Sequence, residues 1–172
     1  MSNNLISNTL NKSWNGIFYE SAQEVLETMF FSSVFGPAEP LFSPCSDIRE
    51  QIITAELRFT GSPSGRLQVS LNETSARSIA CNFLGQDRPE LVSTGDMEQV
   101  LGELSNMVCG SVLSRMDSQA VFSLSHPEMK PIESPTPLHA AIIASFELAD
   151  GVMTSQIFLD STPTIGSIEV KD

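Results

Sequence analysis

Glu103 and Asn106 lie three residues apart in the stretch Met97 to Met116, MEQVLGELSNMVCGSVLSRM. A carboxylate can hold a cation through a charge-assisted hydrogen bond, and an amide donates and accepts hydrogen bonds without carrying charge. On one helix face at this spacing the two side chains are neighbours and can act on one target. Steps of four, three and four join Gln99, Glu103, Asn106 and Gly110 into a stripe. Val100, Leu101, Leu104, Met107, Val108, Ser111 and Val112 fall on a separate, broad face.

An ordinary surface helix carries Lys, Glu or Ala on its wet side. Here Asn106 sits mid-helix, where its side chain competes for local backbone hydrogen bonds. Gly102 and Gly110 each cost the helix roughly 1 kcal/mol against Ala. Gly110 also leaves backbone open to close approach. The plain alternative is a solvated face, but the stripe gives up helix stability, as a surface used for contact does.

The 172 residues carry 9 basic and 21 acidic side chains, a net charge of −12. So acidic a chain does not seek nucleic acid or an anionic membrane surface. The first residues lack the apolar core of a signal peptide, and the longest apolar-rich run, His139 to Ala149, is too short to span a bilayer. The expected location is the cytoplasm. Cys45, Cys81 and Cys109 are odd in number and show no paired spacing; Cys81 and Cys109 read as buried thiols. His126 and His139 are too few for a dedicated zinc site.

The elements that must carry the stripe follow from periodicity. Residues 1–13 read as a flexible arm, and residues 14–172 as a single domain. Trp14 to Phe35 has helical spacing and stops at Gly36-Pro37. A Pro- and Ser-rich loop follows, to about Arg49. Ile52 to Thr60 and Arg66 to Leu71 form a hairpin about the turn Gly61 to Gly65. A helix capped by Asn72 or Thr74 runs to Leu84-Gly85. After a polar loop, Ser93, Thr94 or Asp96 caps the central helix. Then come a short strand, about Ala120 to Leu124, and a proline-rich link. Ser125-His126-Pro127-Glu128 within that link reads as a turn bearing a surface histidine. Leu138 to Leu148 and Val152 to Leu159 form a second hairpin about Asp150-Gly151. The class is α/β of the α+β type: an antiparallel or mixed sheet with long helices packed on one face. Glu27-Thr-Met-Phe30 can be laid on Glu103-Leu-Ser-Asn106 as a weak pseudo-two-fold internal repeat. Phe30 stands where Asn106 stands, so only the second copy offers a polar pair.

The motif Gly102-Glu103-Leu104-Ser105-Asn106-Met107, followed by Gly110, resembles the signature helix of the CheC/CheX/FliY chemotaxis phosphatases, and of CheX most closely. Pro127, the upstream GSPSG hairpin and the helix from Asn72 to Gly85 extend the likeness over roughly residues 50 to 160. The sequence departs from the pattern at Gln99, where Ser or Asp is frequent, and at Ser105, where Gly is common.

The resemblance implies a CheC-like fold and a phosphatase acting on a phosphorylated CheY-type response regulator, with hydrolysis of its aspartyl phosphate. Asn106 would orient the attacking water, Glu103 would pair with the regulator's lysine, and Gln99, Gly102 and Gly110 would face the partner. The chain would bind no cofactor of its own, the Mg²⁺ being supplied by the regulator. A homodimer is expected. The alternative on the same fold is a non-catalytic receiver-binding adaptor or a module of the flagellar switch.

Overall fold

The computed structural model describes residues 2–43, 51–117, 119–130 and 142–160, with side chains from Trp14 onward. Three long helices and one sheet account for most of it: α1 (Ser2–Met29), β1 (Val34–Pro37), β2 (Ile52–Thr60), β3 (Gly65–Asn72), α2 (Glu73–Leu84), α3 (Thr94–Met116), β4 (Ser123–Leu124), β5 (Glu128–Lys130), β6 (Ile142–Leu148) and β7 (Gly151–Leu159). The sheet order is β1-β6-β7-β3-β2-β4, with β5 also on β2, and every pair is antiparallel.

Alternation along the strands turns one sheet face inward. Ala55, Leu57 and Phe59 of β2, Leu67, Val69 and Leu71 of β3, and Phe146 and Leu148 of β6 are buried there. They pack in one core with Phe18, Ala22, Val25 and Leu26 of α1, Ala76, Ile79 and Ala80 of α2, and the buried side of α3. The helices thus share one face of the sheet. The opposite face is polar and internally matched. Thr54 and Ser70 share a hydrogen bond of 2.8 Å, Ser145 and Thr154 one of 3.0 Å, and Gln68 donates to Glu56 at 2.7 Å.

Both hairpins, α2 and the central helix stand where the periodicity put them. The first helix differs at both ends. Its backbone is helical from Ser2 rather than from Trp14, and it stops at Met29, short of Phe35. Phe31 takes a left-handed backbone (φ 51), and Ser32 N–H closes onto Leu26 O at 2.9 Å. The apolar residues beyond feed an edge strand instead: Val34 pairs with Leu148, and Pro37 with Phe146. Met29 is exposed, while Phe30 is buried and stacks on Phe83 with ring centroids 4.7 Å apart. The "proline-rich link" contains β5, and the strand read as Ala120 to Leu124 is only Ser123–Leu124.

Asn72 occupies the N-cap position of α2 without capping it through its side chain. Its amide serves the second hairpin: Nδ2 donates to Asp150 O at 3.2 Å, and Val152 N–H donates to Oδ1 at 3.1 Å. Gly151 has a φ of 146°, and a Cβ there would fall 2.2 Å from Asn72 Oδ1, so the Asp-Gly turn needs its glycine twice over. Cys45, His139 and the start of the strand read from Leu138 lie outside the described residues.

Candidate functional site

The site is built on α3. Ser93 Oγ accepts the Asp96 N–H at 3.1 Å and donates to Asp96 Oδ2 at 2.6 Å, so the helix starts from a side-chain N-cap. Asp96 also places negative charge at the helix's positive end. Met97, Val100, Leu101, Leu104, Ser105, Val108, Cys109, Val112 and Leu113 are buried. This face is wider than the spacing suggested, because α3 packs against α1 and α2 as well as β2 and β3. Met107 and Ser111 sit at its margin, half-buried.

That width settles where Ser105 points. Its side chain is fully buried, and Oγ donates to Leu101 O at 2.8 Å. The departure from Gly at this position therefore faces the core, not the stripe. Burial also pushes the Cys109 thiol up to about 12, which leaves it protonated and inert as a nucleophile at neutral pH. Cys81 is likewise buried and free, with Sγ on Gln86 O at 3.0 Å.

The stripe emerges on the surface. Gln99 and Glu103 are exposed, and Gly102, Asn106 and Gly110 are half-buried. Gln99, Gly102, Glu103 and Asn106 line an open groove of about 270 Å³, together with Gly95, Glu98, His126, Pro127 and Met129. Gly110 continues the stripe beyond that lining, and nothing stands within 4 Å of the place its Cβ would occupy. The second wall, His126 to Met129, was not connected with the stripe by sequence reading. Pro127 was the available signal: its ring lies against Gly102.

Charges beside the groove are committed elsewhere. Lys130 donates to Glu128 at 2.8 Å, and that hydrogen bond lowers the carboxyl and raises the ammonium from their ordinary values. Glu56 takes Arg66 at 3.4 Å and Lys130 at 3.8 Å. By contrast, Gln99, Glu103, Asn106 and His126 make no side-chain hydrogen bond or ion pair among the described residues. A carboxylate and an amide one turn apart, both without a side-chain partner among the described residues, can receive a cation and a polar group from outside.

The would-be first copy of the pair is closed. Glu27 accepts from Gln23 Nε2 at 3.1 Å and from Val34 N–H at 3.4 Å, and Phe30 is in the core. No helix among the described residues is long and apolar enough to cross a membrane.

With the geometry in view, the likeness to known proteins can be placed on it. The sequence profile described as "Chemotaxis phosphatase CheX" matches residues 53–134, which include both walls of the groove. No curated protein matches the chain. A CheX from Vibrio vulnificus has the same fold at 20% identity and a TM-score of 0.65, over 86% of this chain and 96% of that one. A CheX–CheY–BeF3–Mg²⁺ complex from Borrelia burgdorferi matches at 16% identity and 0.63, over 86% and 98%. FliY from Thermotoga maritima matches at 15% identity and 0.58, over 90% of each chain. The chain is thus similar to CheX by profile over residues 53–134, and it shares the fold of the CheX and FliY proteins.

Proposed function

We propose that this protein is a phosphatase for a phosphorylated CheY-type response regulator, acting in the cytoplasm in chemotaxis or a related two-component pathway. One observation carries the reading: Glu103 and Asn106 stand side by side on the rim of a groove with no intramolecular partner, within the segment that matches the CheX profile. The Borrelia relative, whose solved structure is a complex with CheY, supports the choice of partner.

The reaction is hydrolysis. A water oxygen attacks phosphorus, the bond from phosphorus to the aspartyl oxygen breaks, and inorganic phosphate and a free carboxylate result. Little covalent chemistry falls to the phosphatase, and positioning is the main task. Asn106 holds the water in line: its amide oxygen accepts a hydrogen bond from the water and its N–H donates toward the phosphoryl group, where a carboxylate would repel the oxygens. Glu103 pairs with the regulator's lysine and fixes the register of α3 over the phosphoaspartate. Gln99, Gly102 and Gly110 shape the contact. The Mg²⁺ travels with the regulator as part of the substrate.

A homodimer belongs to the same proposal and is checked by sedimentation equilibrium. A second reading, receiver binding without turnover, rests on Gln99, which replaces the Ser or Asp frequent in the resembling family. The experiment that separates them is the decay of an acyl-phosphorylated CheY-type regulator with and without the protein. Faster release of phosphate supports the phosphatase; unchanged decay with measurable binding supports the adaptor.

A further inference from the structure

The groove beside Asn106 has two walls, and only one belongs to α3. The other is the connector between β4 and β5, which is held at both ends by β2. Phe59 pairs with Leu124, and Glu56 with Glu128. Between those pairs, Ser125 N–H donates to Arg58 O at 2.8 Å and Arg58 N–H donates to Ser125 Oγ at 2.9 Å. Pro127 closes the connector onto the helix, its Cβ 3.5 Å from where a Gly102 Cβ would stand. His126 is therefore presented from a braced backbone, yet its side chain is exposed and makes no hydrogen bond or ion pair among the described residues, its charge being felt only by Glu128.

On β2, Glu56 is matched by Gln68, Arg66 and Lys130. Around the groove, unspent polar groups converge instead from two separate elements: Gln99, Glu103 and Asn106 from α3, and His126 from the connector. An interface uses such groups once a partner supplies their hydrogen bonds.

We propose that His126 is a docking residue of this site. It contacts the rim of the receiver's phosphorylation pocket from the side opposite α3, and so sets how the receiver seats over Asn106. The inference rests on the receiver reading given above. Charge complementarity selects the occupant: Glu98 and Glu103 make the helix wall acidic, which suits a receiver surface that presents a lysine. The imidazole, able to donate and accept, suits the backbone groups of a loop at that rim.

A residue that only seats the partner changes KM and leaves kcat. The test uses the full chain, a phosphorylated CheY-type regulator for turnover, and the same regulator loaded with Mg²⁺ and beryllofluoride for binding. His126→Ala is expected to raise KM and Kd about fivefold to tenfold, the worth of one hydrogen bond or a little more. Its kcat stays within about twofold of wild type. His126→Gln, which keeps a donor and an acceptor, recovers most of the loss. Thermal stability is unchanged in both, since the side chain is exposed. Equal KM and Kd for wild type and His126→Ala would overturn the docking role while leaving the phosphatase reading intact, as would a fall confined to kcat. If the wild type binds but does not hydrolyse, catalysis is refuted and the Kd comparison still decides His126. If the wild type does neither, both proposals fall.

Discussion

Gly102 and Pro127 meet in the lining of the groove, with the proline ring 3.5 Å from the position of a Gly102 Cβ. That distance is an ordinary van der Waals contact, so a methyl group fits there without displacing backbone. It would occupy space between the two walls that a partner has to enter.

Gly102→Ala is therefore expected to stabilise the fold and weaken docking together. Removing a mid-helix glycine gains about 0.5–1 kcal/mol, or about 1–4 °C in Tm for a chain of this size. Gly110→Ala should give the same gain, since its surroundings are open. Calorimetry and regulator binding check both. A lower Tm for Gly102→Ala would mean that Pro127 cannot yield, and undiminished binding would take Gly102 out of the contact.

Glu103→Lys sets a cation against the regulator's lysine. Binding is expected to weaken by at least about tenfold, more than loss of one surface ion pair, because repulsion replaces attraction. The fold should be unaffected, as Glu103 is exposed and unpaired among the described residues. Isothermal titration against the beryllofluoride-loaded regulator measures it. Unchanged affinity removes Glu103 from the interface.

Ser105→Ala is expected to leave turnover within about twofold and stability within about 1 kcal/mol. The hydroxyl only bonds back to Leu101 O inside the core. A tenfold loss of rate would show that position 105 reaches the partner after all.

Cys109 gives a pH signature. Its thiol is held up to about 12, against an ordinary 9.0, by burial. The unfolded chain therefore releases this proton at lower pH than the folded one. The stability linked to the group is complete below about pH 9 and is lost progressively between about 9 and 12. Denaturant unfolding across that range should show a shallower fall for Cys109→Ala than for wild type. Parallel slopes would contradict the assignment.

Much of this site is legible in the sequence because it is local. Gln99, Glu103, Asn106 and Gly110 share a stripe by helical geometry alone, and Ser93 with Asp96 announces where that helix begins. The hairpins announce themselves through GSPSG and Asp-Gly. What is not legible depends on tertiary pairing. Phe31 to Phe35 continues a helical apolar pattern, and only the edge of β6 makes part of it a strand. Ser105 lies off the apolar face of a wheel built for one contact, but α3 is packed on several sides. His126 reads as a turn residue, because its place beside Asn106 is set by β2, some seventy residues earlier than the connector it braces. Asn72 shows the converse. Its type and position are those of a cap, and a hairpin from the far end of the chain claims its amide.

The most direct measurement is the decay of a phosphorylated CheY-type regulator with wild type and with Asn106→Ala, each checked for unchanged Tm and regulator binding. The expected result is acceleration by the wild type and a loss of about a hundredfold or more in the variant, with binding and fold retained. Equal acceleration by Asn106→Ala would contradict the assignment of the water-orienting amide, and with it the central role given to the α3 stripe.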